Sequence, residues 1–207
     1  MHRTLFAAAL AAVALLLWSA TVMAIEEPGF ELLKTAEGYE LRRYAAYVVA
    51  EVDAGGDASA AGNQGFRLLA GYIFGKNTPG ESISMTAPVL QAKAERIAMT
   101  APVLQQPGAG KDQYVVQFTM PAKYTLATLP RPVDPRVRLR EVPARKVAVR
   151  EYRGGWSVER YEREVQELRA ALKRDGLEAL GEPHWARYNS PFSLPPLRHN
   201  EVWIDVR

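Results

Sequence analysis

The chain has 207 residues, of which 48% are hydrophobic and 24% charged, with a net charge of +3. That length and balance suit one globular domain with its own core, and exclude a disordered or fibrous chain. It contains no cysteine, which removes disulfides, thiolate metal sites and cysteine nucleophiles from consideration.

The first 24 residues read as an export signal. Arg3 supplies a positive charge, residues 5–18 form an apolar run, and Val22-Met23-Ala24 ends it at a cleavage-like site. The run falls short of the roughly 20 apolar residues of a comfortable membrane span. The expectation is a signal peptide over 1–24 and a single mature domain over 25–207, periplasmic or secreted and off the membrane once cleaved.

The mature chain then repeats one plan. Strand-forming runs at 39–44 and 47–52 end at Gly55-Gly56, and a helix over 58–74 follows, with Phe66, Leu69, Ala70 and Ile73 at helical spacing. Gly75 stops it. A nine-residue phrase then occurs twice, as Ile83-Ser84-Met85-Thr86-Ala87-Pro88-Val89-Leu90-Gln91 and Ile97-Ala98-Met99-Thr100-Ala101-Pro102-Val103-Leu104-Gln105. Proline cannot donate to a ladder, so each copy is expected as a strand at a sheet edge or bulge. A strand over 114–120 puts Tyr114, Val116, Phe118 and Met120 on one face.

Beyond a Pro-rich link at 130–135, strands at 137–142 and 146–152 end at Gly154-Gly155. Ser157 caps a helix running to Asp175, with Val158, Tyr161, Val165, Leu168 and Leu172 on its apolar stripe. Strands at 184–188 and 201–206 close the chain. Two similar halves, about 37–121 and 137–207, therefore imply an α+β fold of antiparallel strands covered by one long helix per half. Arginines of the second helix alternate with Glu159, Glu162, Glu164 and Glu167, which describes a solvated face and not a nucleic-acid surface.

Catalytic patterns are missing. The three histidines, His2, His184 and His199, have no metal-ligand spacing, and no nucleophile elbow, P-loop or dinucleotide fingerprint occurs. Glu40 and Glu51 read as solvated carboxylates, and Met85 and Met99 as packing residues. Residue chemistry alone points to an exported binding domain, not an enzyme.

Five motifs in register carry a resemblance. Tyr39-Glu40-Leu41-Arg42-Arg43-Tyr44, Gly65-Phe66-Arg67-Leu68-Leu69 leading to Tyr72-Ile73-Phe74-Gly75-Lys76-Asn77, Met85-Thr86-Ala87-Pro88-Val89, Arg187-Tyr188-Asn189-Ser190-Pro191-Phe192 and Asn200-Glu201-Val202-Trp203 together resemble the SOUL haem-binding protein family. The resemblance implies a distorted antiparallel β-barrel built from two similar α+β halves. It also implies non-covalent binding of haem or a related tetrapyrrole, in a shallow apolar cleft beside the first helix and the loop before the last strand. The matching positions are Asn63, Phe66, Arg67, Ala70, Gly71, Phe192 and Ser193, with Arg67 as the cation for a propionate. Covering about 300 Å² of ring would contribute about 7 kcal/mol before the cost of association.

The family's proposed axial histidine falls at Arg43, which cannot ligate iron. A bound haem would then take His199 or Tyr188, or no ligand at all. The runner-up reading is an effector-type module for another small apolar ligand, without haem.

Overall fold

The computed structural model of the chain describes residues 25–78, 94–190 and 192–207. The proposed signal peptide and the first copy of the repeated phrase lie outside the described residues. Strands β1 (Phe30–Ala36) and β2 (Tyr39–Tyr44) form a hairpin closed by Glu37 and Gly38, the latter at φ +89°. Then come β3 (Tyr47–Gly55), helix α1 (Ala58–Ile73), β4 (Asn77–Thr78), β5 (Val103–Pro107) and β6 (Gln113–Thr119). The second half supplies β7 (Arg131–Pro132), β8 (Arg138–Val142), β9 (Arg145–Arg153), helix α2 (Val158–Arg174), β10 (Ala179–Arg187) and β11 (His199–Val206). β4 and β7 pair as a small separate ribbon.

Nine strands form one antiparallel sheet in the order β1-β2-β9-β11-β10-β5-β6-β3-β8. Equating β2, β3, β5 and β6 with β8, β9, β10 and β11 makes the order after β1 read the same from either end. A pseudo-twofold axis therefore passes between β5 and β10. Each half lends its first strand to the other: β2 pairs with β9, and β8 pairs with β3. The curved sheet resembles a barrel, with β1 and β8 as its edges.

Both helices start and stop for the same reasons. Asp57 accepts hydrogen bonds from the backbone N–H groups of Ser59 and Ala60, and Ser157 from that of Arg160. At the far ends, Lys76 N–H donates to Gly71 O and Leu177 N–H to Leu172 O, over Gly75 and Gly176 at positive φ.

Alternation along the strands divides the interior. On one face, Val48, Ala50, Val52, Val116 and Phe118 pack beneath Leu69, Tyr72 and Ile73 of α1. On the same face of the second half, Ala148, Tyr152, Val202 and Ile204 pack beneath Val165, Leu168 and Leu172 of α2. The other face carries a smaller cluster of Tyr44, Leu104, Val147, Val149, Ala186 and Trp203.

Two expectations change. The second copy of the repeated phrase contributes only its end to a strand, and β5 is central, between β10 and β6, not an edge. Pro102 stands just before the strand begins, so its missing N–H breaks no ladder. β1 was not expected; its residues are mostly exposed, so the sequence lacks the apolar alternation of a half-buried strand.

Candidate functional site

The approach of α1 to the sheet builds the cleft. A Cβ at Gly65 would stand 2.6 Å from Val116 Cβ, and one at Gly62 would stand 2.7 Å from Gln105 Oε1. Only glycine lets the helix sit this low over β5 and β6. Asn63 and Phe66, beside these glycines, form one wall of a cleft of about 60 Å³. Val103, Gln105 and Val116 make its floor, and Trp156, Arg187 and Asn189 its far side. The Phe66 ring is half-buried and meets Phe118 edge-on, with centroids 5.4 Å apart. Ligand cavities commonly hold about 300–1,000 Å³. This one accepts a side arm or an edge, while a large ring would lie across its mouth.

The charge in the cleft comes from Arg187 on β10. Its guanidinium lies 4.1 Å from the Trp185 ring centroid and 5.2 Å from that of Trp156. Among the described residues no carboxylate lies within ion-pair distance of it, and its Nε has no hydrogen-bond partner. Burial pulls its pKa down to about 10, with repulsion from Arg198 adding to the effect. At neutral pH it remains a cation. Gln105 donates from Nε2 to Ala58 O at 2.8 Å, but its Oε1 has no donor.

The expected site residues divide. Asn63 and Phe66 line the cleft. Arg67 is exposed, with its Nε donating to Asn63 O at 3.3 Å, and is not among the lining residues. Ala70 and Gly71 lie half-buried one to two turns farther along α1, and a Cβ at Gly71 would meet Lys76 Cδ at 3.2 Å. The loop after β10 reaches the cleft through Asn189. Phe192, in the same loop, is 96% exposed, and Ser193 O accepts a hydrogen bond from Arg198 Nε.

The residues named as alternative iron ligands are engaged elsewhere. Tyr188 donates its hydroxyl to Glu201 Oε2 at 2.6 Å. His199 lies with Nδ1 3.2 Å from Glu151 and Nε2 3.4 Å from Glu201. Glu201, 2% exposed, also receives Arg42 Nη1 at 3.0 Å and Trp203 Nε1 at 2.6 Å. Burial by itself would raise its pKa, but His199, Arg42 and the other donors outweigh burial and hold the carboxyl below its ordinary value. The hydrogen bond to Glu201 raises the His199 pKa against desolvation, with the charges of Glu201 and Glu151 reinforcing it. Arg43, at the family's histidine position, pairs with Glu31 at 2.7 Å. His184 is buried on the sheet face away from the helices, its pKa driven down to about 3 by burial and by Arg145 and Arg140.

Glu40 and Glu51, read as solvated, are in ion pairs: Glu40 with Arg42, and the buried Glu51 with Arg138 and Arg140. Two of the larger cavities lie away from the cleft. One, of about 420 Å³, is bounded by Glu26, Glu27, Tyr47, Met120 and Tyr124; the other, of about 430 Å³, by Arg140, Arg145, His184 and Asp205. In the second, the arginines are paired with Glu51 and Asp205. The small cleft combines an apolar floor with an uncompensated cation.

The sequence carries a partial signal for Arg187, its place on a strand and not its lack of a partner. Trp185 and Arg187 alternate on one strand, which puts indole and guanidinium on the same face. Gly62 and Gly65, three apart on a helix, are likewise a signal of close approach.

The family model described as SOUL heme-binding protein matches residues 25–205. Human heme-binding protein 2 is 30% identical over 195 residues, covering 89% of this chain and 88% of its own length. Among solved structures, the EcmrR C-terminal domain matches with a TM-score of 0.56 at 12% identity, over 82% of this chain and 98% of that one. An uncharacterized conserved protein from Listeria innocua matches with a TM-score of 0.51 at 15% identity, over 81% and 92%. The last two likenesses show the fold alone.

Proposed function

The chain belongs to the SOUL haem-binding protein family, and from that premise we propose that it is an exported, non-catalytic buffer or carrier that holds haem or a related tetrapyrrole in the cleft beside α1. Membership supports non-covalent haem binding. The donor set decides what kind. Among the described residues, the cleft offers apolar contact from Phe66, Val103 and Val116 and a cation from Arg187, while Tyr188 and His199 already serve Glu201. That set fits the ring and acid groups of a porphyrin and gives its metal no strong ligand, so metal-free porphyrin is expected to bind as well. The observation that carries this reading is the pairing of an apolar floor with an unpaired Arg187.

Titration of the purified chain with haemin and with protoporphyrin IX, followed in the Soret band, tests it. Both should bind with similar affinity, and Phe66→Asp should weaken both at least tenfold. A sharp low-spin spectrum with haemin alone would reveal an iron ligand and overturn the contact-only account. Export is tested by the mass of the protein recovered outside the cytoplasm, which should begin at Ile25.

One feature favours the second reading, a module for a smaller apolar ligand: the cleft's enclosed volume of about 60 Å³ does not take in a macrocycle. Absence of any Soret change with either compound would select it.

A further inference from the structure

The sheet has two free edges, β1 and β8, and a cavity of about 420 Å³ is lined from both: by residues 26–29, which lead into β1, and by Glu141 of β8. Its volume falls in the usual range for small ligands, about 300–1,000 Å³. Ala46, Tyr47, Val48 and Met120 supply apolar wall. The charged groups along it are all acids. Glu26, Glu27 and Glu141 line it, no lysine, arginine or histidine does, and none of the three is in an ion pair among the described residues. Glu26 is held in place, its Oε1 accepting from Ala122 N–H at 2.7 Å. Burial and the charge of Glu201 raise the Glu27 pKa against the pull of His199 and Arg42, which are themselves committed to Glu201. Lys123, 4.7 Å from the Tyr124 ring centroid, offsets part of the negative charge. A second observation is independent of charge. Thr119, 4% exposed, lines the same cavity, and its Oγ1 has no hydrogen-bond partner. A buried hydroxyl left unpaired costs stability unless something else meets it.

We infer that this cavity is a second ligand site, for a small apolar primary ammonium compound such as an arylalkylamine. The ammonium supplies the positive charge that the three carboxylates lack, through charge-assisted hydrogen bonds. Thr119 Oγ1 can accept a further N–H, and the Tyr47 ring favours a cation beside it. The ligand's apolar body then covers Val48 and Met120. The inference is independent of the tetrapyrrole reading, since none of these residues lines the cleft beside α1.

Calorimetric titration of the full chain near neutral pH with 4-phenylbutylamine and with its neutral counterpart 4-phenylbutanol tests the inference. The wild type should bind the amine about tenfold more tightly, the smaller end of what a charged hydrogen bond supplies, because the carboxylates stand at an open rim. Glu27→Gln combined with Glu141→Gln should bring that ratio to about one, and each alone should bring it part of the way. Ala46→Trp, which fills the cavity, should abolish binding of both compounds. Thermal unfolding confirms that each variant folds, and the glutamine variants carry the test if Ala46→Trp does not. Haemin titration of the double variant should match wild type. Equal binding of amine and alcohol, binding of neither, or an unchanged ratio in the double variant overturns the inference. So does a joint loss of haemin and amine in that variant, which would show one shared site. A wild type that binds the amine and not haemin keeps this site and overturns the tetrapyrrole reading, and the converse result does the reverse.

Discussion

Helices α1 and α2 occupy related places over the same sheet, begin at similar caps and end in the same glycine motif, yet they meet the strands differently. α2 presses Val165, Leu168, Ala171 and Leu172 into the sheet, and its Glu164 pairs with Arg150. α1 presents Gly62 and Gly65 at its approach to the sheet and leaves Phe66 half-exposed beside Arg187. One helix is packed for stability. The other is seated lower still through its glycines, and the cleft opens beside it where Phe66 faces the second half. Duplicated architecture thus gives two helices different contacts with one sheet, and both halves line the cleft that results.

Substitutions can break this contrast in order of effect. Leu168→Ala removes a fully buried side chain beneath α2 and should cost about 2–5 kcal/mol in denaturant unfolding. Porphyrin affinity of the folded variant should not change, because Leu168 is remote from the cleft's lining. Gly65→Ala should cost about 1–3 kcal/mol, since the added methyl meets the branch point of Val116 and not a flexible tip. It should also weaken the ligand by lifting α1. An equal loss of affinity in both variants would show that the contrast between the two helices is wrong. Asp57→Ala and Ser157→Ala should each cost about 1 kcal/mol, the equality being a check that the helix starts are alike.

The effect of pH is the smallest and most local. His199 has its pKa raised by folding, so its contribution is complete below about 6.5 and is lost as pH rises through the raised value. Glu201 has its pKa lowered, so its contribution is complete above about 4.5 and is lost as pH falls through the lowered value. Together they favour a plateau between those values. Unfolding measured from pH 5 to pH 9 should show a gentle decline above the plateau, and His199→Gln should flatten it.

Much of the fold was written locally. The Ser157 cap, the Gly75 stop and the shared face of Val202, Ile204 and Val206 follow from periodicity and turn chemistry, and the structure repeats them. Of the cleft, Phe66 and Asn63 were reached through the family resemblance. Arg187 was passed over because its role depends on what it lacks. An arginine's missing carboxylate cannot be seen until every neighbour is in place. His199 and Tyr188, named from the sequence as alternative iron ligands, are committed to Glu201 in the fold, a pairing equally invisible before the neighbours are placed.

The order of apolar and turn-forming residues, by itself, determined two α+β halves, their helices and the face each helix buries, because those signals act over a few neighbouring residues. Only the tertiary structure decided that the halves exchange their first strands, that β5 is central, and that Arg187 stays unpaired. Strand exchange and charge pairing are settled between residues far apart in the chain, where no local period records the choice.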